Sequence, residues 1–180
     1  MGDSRLILST ITIACFLLVS FIHAGCTTDG ASTEFQLPVG YQWYSNSDYD
    51  YGIAYSTDWI LVPEEEISLG EGILSSVMIK YDPDMSLGSL SVSIASDYDI
   101  DKALEMGAES KVKNDMEYYY LDLEGFLGTN QRLAVFPADD KYYVIQYFAR
   151  PEYFEKHVEV FDKVIASFTI DEGIIPLSAH

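Results

Sequence analysis

The stretch "PEYFEKHVEVFDKVIASFTI", residues 151–170, decides the fold class of this chain. Phe154, Val158, Phe161, Ile165 and Phe168 recur in it at alternating spacings of four and three. That is the period of a helix with one continuous apolar stripe, the pattern of a helix lying on a sheet. Pro151 suits its first turn, where the missing N–H has no partner to lose.

The sequence before it supplies the sheet. Gly52–Tyr55, Trp59–Val62, Val77–Tyr81 and Met116–Leu123 read as strands. Leu90, Val92 and Ile94 alternate with Ser89, Ser91 and Ser93, which predicts a strand with one polar face. Gln131–Phe136 and Lys141–Ala149 flank "PADD" and predict a hairpin. Asp82-Pro83-Asp84 reads as a turn. A second helical pattern runs from Asp99 to Asn114, with Ile100, Ala103, Leu104, Gly107 and Ala108 on one face. Antiparallel strands with a few covering helices make an α+β domain. It spans residues 41–171, long enough for a core without disulfides.

The ends read differently. Arg5 precedes an uncharged apolar run, Leu6–Ala24, that breaks at small residues, the pattern of a signal peptide over residues 1–25. The run also approaches the roughly 20 residues that span a bilayer, so an uncleaved leader helix is the alternative anchor. Ala24-Gly25-Cys26 resembles a lipobox, with His23 where an aliphatic residue usually stands. Cys15 is the only other cysteine and would leave with the leader. An exposed lone thiol would be chemically vulnerable. Cys26 is therefore read as a lipidation site, residues 26–40 as a flexible tether, and residues 172–180 as a loose tail. The expected location is the outer side of a cell membrane, held by lipid or by the leader helix.

The formal net charge is −19, and removal of the leader takes one acid (Asp3) and one base (Arg5), leaving it unchanged. Nucleic acid is excluded as a partner, because phosphate backbones are held by clustered Lys and Arg.

Two segments carry a family resemblance. "YSNSDYDYGIAYSTDWILVPEE", residues 44–65, is similar to the opening of PsbP-like domains, with Ser56 replacing the usual proline before Trp59. The last helix ends on Ser167-Phe168, as that family's does. The resemblance covers roughly residues 41–171 and implies an α/β/α sandwich with a central antiparallel sheet and a C-terminal covering helix. Members of this superfamily include an extrinsic photosystem II protein, an import factor that binds the GTPase Ran, and prokaryotic lipoproteins. It implies docking on a larger protein partner, here at the cell surface, rather than catalysis.

No catalytic set stands out. Once the leader is gone, only His157 and His180 remain, and no serine lies in a Gly-x-Ser-x-Gly motif. No cofactor or metal site is assigned. Calcium, or a small cationic ligand, is the rival reading, with Asp97, Asp99 and Asp101 as candidate ligands. Asn46, Asp48 and Asp50 share that alternation, but neither run continues as an EF-hand loop, and helix capping and a turn account for them. Tyrosine is abundant, 14 in all. Tyr118, Tyr119 and Tyr120 are the candidates for partner contact, because alternation puts Tyr118 and Tyr120 on one face and Tyr119 on the other. Exposed aromatic surface is enriched at interfaces.

Overall fold

The computed structural model describes residues 37–62, 64–81 and 87–170. The leader, Cys26, most of the tether, the turn at residues 82–84 and the tail with His180 lie outside the described residues.

Among the described residues, ten strands form two antiparallel sheets. They are β1 (Tyr41–Asn46), β2 (Tyr51–Ser56), β3 (Ile60–Val62), β4 (Ile73–Lys80), β5 (Ser89–Ala95), β6 (Glu109–Lys113), β7 (Met116–Phe126), β8 (Thr129–Ala138), β9 (Lys141–Ala149) and β10 (Thr169–Ile170). The small sheet has the order β1-β2-β10, and the large one β3-β4-β5-β9-β8-β7-β6. Among the described residues the α-helices are α1 (Ile100–Glu105) and α2 (Pro151–Ser167), with a short 3-10 turn at Glu64–Glu66.

Helix α2 opens at Pro151 as expected and packs on β2 as well as on β9 and β8. Contact with both sheets widens its buried face beyond the predicted stripe. Val160 and Val164 are buried beside Phe154, Phe161 and Ile165, while Val158 is only partly buried. Phe168 sits one residue past the helix, fully buried, with ring centroids 4.6 Å from Phe136 and 5.7 Å from Tyr143. Its neighbour Ser167 explains the Ser-Phe ending. The Ser167 hydroxyl accepts from the Ala54 amide at 2.8 Å and donates to the Val164 carbonyl at 3.0 Å, clipping the helix end to β2.

One expectation is corrected. The helical pattern from Asp99 to Asn114 yields a helix of only six residues, then a strand. Gly107, at φ +98°, ends the helix. The Gly107 amide donates to the Leu104 carbonyl and the Ala108 amide to the Ala103 carbonyl, a Schellman stop that glycine makes without strain. Asn114 and Asp115, both at positive φ, then form the tight turn that pairs β6 with β7. The strand with one polar face expected over residues 89–94 is present as β5, between β4 and β9. Its Ser89 and Ser91 are buried, and Ser93 meets Ser76 hydroxyl to hydroxyl at 2.9 Å.

The segment from β5 to β6 crosses β9, β8 and β7 on the face opposite α2. Tyr98 lies against Tyr142 there (6.1 Å), and α1 packs on β7. Helices on both faces of an antiparallel sheet make the α/β/α sandwich that the family resemblance implies.

Candidate functional site

The pleat of β7 separates its tyrosines as predicted. Tyr119 pairs with Val135 on the α1 face, while Tyr118 and Tyr120 point to the α2 face. Tyr118 stacks on Phe136 (4.7 Å, 15°), and Tyr120 meets Phe161 edge-on (6.2 Å, 69°). Both rings are anchored at one end in the core and reach a groove at the other.

That groove lies between the edge strand β6 and the second half of α2. It has a volume of ≈ 470 Å³ and is lined by Lys111, Val112, Lys113, Tyr118, Tyr120, Asp162, Ile165 and Ala166. The Lys111 ammonium stands 3.5 Å over the Tyr120 ring. The Arg132 guanidinium lies 5.3 Å from the same ring. Cations over aromatic faces are attracted by the ring quadrupole. Arg132 is fixed by a two-point contact with Asp122 (2.8 and 3.0 Å) and by Asp162 at 3.9 Å. The Lys113 ammonium donates to the Phe168 carbonyl at 2.6 Å, tying β6 to the residue that closes α2.

The electrostatics follow from this partial burial. Burial pushes the Tyr120 hydroxyl up to about 12 against the pull of Arg132, and it raises Tyr118 with help from Asp162. Both phenols stay neutral over the physiological range. Burial pushes Lys113 down to about 8. The groove can thus offer hydrogen bonds, aromatic faces and positive charge to an anion, with Lys113 able to give up its proton.

Tyr118 and Tyr120 enter this groove; Tyr119 does not. The members of the site beyond the tyrosines, namely Lys111, Lys113, Arg132 and Asp162, were not nominated from sequence. Their one local signal is Lys111-Val112-Lys113 before the Asn-Asp turn, which puts two lysines on one face of a strand.

The aspartates are placed otherwise. The Asp99 carboxylate accepts from the Lys102 amide at 2.8 Å as the cap of α1, and Asp101 follows in the first turn. Asn46 accepts from the Asp48 and Tyr49 amides, shaping the β1–β2 turn. Among the described residues no three His, Cys, Asp or Glu side chains gather as a metal site. Also among them, no helix is long and apolar enough to cross a membrane. His157 packs on Tyr81 (4.3 Å) and Trp59 (5.9 Å), and burial pushes its pKa down.

No family model and no curated protein matches the chain. Solved structures do. Cyanobacterial PsbP (CyanoP) from Synechocystis sp. PCC 6803 superposes with a TM-score of 0.54 at 16% identity, covering 82% of this chain and 98% of that one. A protein from Bacteroides thetaiotaomicron gives 0.50 at 15% identity, covering 73% of this chain and 48% of that one. The fold is PsbP-like.

Proposed function

We propose that this PsbP-like domain is an extracytoplasmic docking module, anchored through Cys26 and holding a protein partner in the groove between β6 and α2. One observation carries the reading. In a chain of net charge −19 with only ten Lys and Arg, three of those cations converge with two tyrosines at one sheet edge. A surface that existed only for solubility would spread its charges. Tyrosine and arginine in a half-desolvated groove are the residue types that dominate binding energy at interfaces. Acylated Cys26 and residues 27–40 would hold the domain at the membrane with reach.

The test is site-directed photocrosslinking in cells that express the full chain with its own leader. A benzophenone amino acid at Ala166, exposed on the α2 wall of the groove, should capture one discrete protein, and the Tyr118→Ala/Tyr120→Ala double variant should abolish that capture. Cys26→Ser should release the protein from the membrane fraction. Equal capture from position 119 on the opposite face, or none from either, would overturn the docking reading.

A further inference from the structure

Strand β6 ends the large sheet and is bonded to β7 alone. Among the described residues, no strand pairs with its outer side. Such an edge is a template for another strand, and proteins usually blunt it. Here the blunting is selective. Lys111 and Lys113 reach into the groove with their side chains, while the pleat turns the side chain of Val112, 71% exposed, to the opposite face. The other sheet ends lack this arrangement: β3 is the three apolar residues Ile60–Val62, and β1, Tyr41–Asn46, has no charged residue.

Resting on the docking reading above, we infer that β6 receives an extended acidic segment of the protein partner as an added strand. Alternate carboxylates of that segment sit on Lys111 and Lys113 beside Tyr118 and Tyr120. Lysines two positions apart on a strand are spaced by roughly 7 Å, the repeat of an incoming Glu-x-Glu strand, so the charges keep register along the edge. Backbone pairing supplies affinity that does not depend on sequence, and the alternate side chains supply selection. Neither lysine has an ion-pair partner among the described residues, whereas Arg132 is already held by Asp122 and Asp162. Lys113 gives one N–H to the Phe168 carbonyl and Lys111 rests on the Tyr120 ring, so each ammonium keeps donors and an unneutralised charge for an incoming carboxylate. The overall negative charge does not forbid this, because exposed charges beyond about 8 Å are largely screened at physiological ionic strength.

The probe is a fluorescent peptide of alternating Glu and Val, titrated with the full chain in mild detergent and read by fluorescence anisotropy. It should bind saturably. A Gln-Val version should bind at least about tenfold more weakly, and so should a Glu-Val version N-methylated on one edge. Lys111→Gln/Lys113→Gln should lose about tenfold with an unchanged circular-dichroism spectrum. Absence of saturable binding, or equal binding of the Gln-Val or methylated peptide, overturns the inference. Competition by free phosphate, or by anionic phosphatidylglycerol vesicles, as effective as by the peptide also overturns it. If the lysine variant fails to fold, the two altered peptides still decide. A crosslinked partner that the acidic peptide cannot displace would leave the docking reading standing and remove only this inference.

Discussion

The middle of the large sheet and its β6–β7 edge are both rich in tyrosine, yet they use the residue in opposite ways. In β9, Tyr143 and Tyr147 are almost fully buried, and each hydroxyl is closed on a backbone carbonyl, of Tyr49 at 2.8 Å and of Phe154 at 3.2 Å. Both hydroxyls thus have a partner within the fold, and these rings serve packing. In β7, Tyr118 and Tyr120 are only half-buried, and Lys111 and Arg132 lie over the Tyr120 ring. Tyrosine content alone therefore says little about function; the neighbouring charges separate core from site.

The comparison can be broken most sharply in the core. Phe168→Ala removes the ring that joins Phe136, Tyr143 and Tyr51, and should cost about 3–5 kcal/mol. A loss below about 1 kcal/mol in urea unfolding would show that the centre is not packed around Phe168. Ser167→Ala is the next step down. It leaves the buried Ala54 amide without its acceptor and should cost about 1–3 kcal/mol. Ser167→Thr, which keeps a hydroxyl, should recover part of that loss unless the clip is irrelevant.

The smallest effect belongs to the edge, and its sign is fixed by Lys113. Burial holds that amine at about 8, against an unfolded value of about 10.4. Between these values the unfolded chain keeps a proton that the folded chain releases, so stability rises as pH goes from about 8 towards 10. Read downward, that contribution is lost as pH falls through about 8. Above about 10 the buried tyrosines, raised in the fold, reverse the slope. The charged and titratable groups facing Lys113 are Lys111 on β6, Tyr118 and Tyr120 on β7 and Asp162 on α2. Of these, Tyr120 titrates at about 12, above the window. Urea midpoints measured across this range should show the rise, and Lys113→Met should flatten it. A wild-type curve as flat as the variant's would mean that the amine is not desolvated.

Much of this was legible in the residues. The terminal helix, the β8–β9 hairpin and the split of Tyr118 and Tyr120 from Tyr119 all follow from periods of two and 3.6, which each segment carries within itself. The pattern after Asp99 misled because a glycine stop inside an apolar stripe is a local event that periodicity averages away. Gly107 ended the helix, and Asn114-Asp115 turned what remained into a strand. The serine face of β5 was legible from its alternation, but its burial was not, because what covers a face comes from segments far along the chain.

The sequence by itself determined the element types and the faces that their side chains occupy, because those depend on neighbours a few residues away. The signature Trp59 and the Ser167-Phe168 ending could be read in the same local way. Only the tertiary structure decided that β6 stands at an edge and that α2 is wedged against both sheets. It alone brought Lys111, Lys113, Arg132 and Asp162 around Tyr118 and Tyr120. These residues come from three strands and a helix, and the order of strands in a sheet is set by pairings between distant segments. No local period in the chain encodes that order, so the site emerges only when the sheet closes.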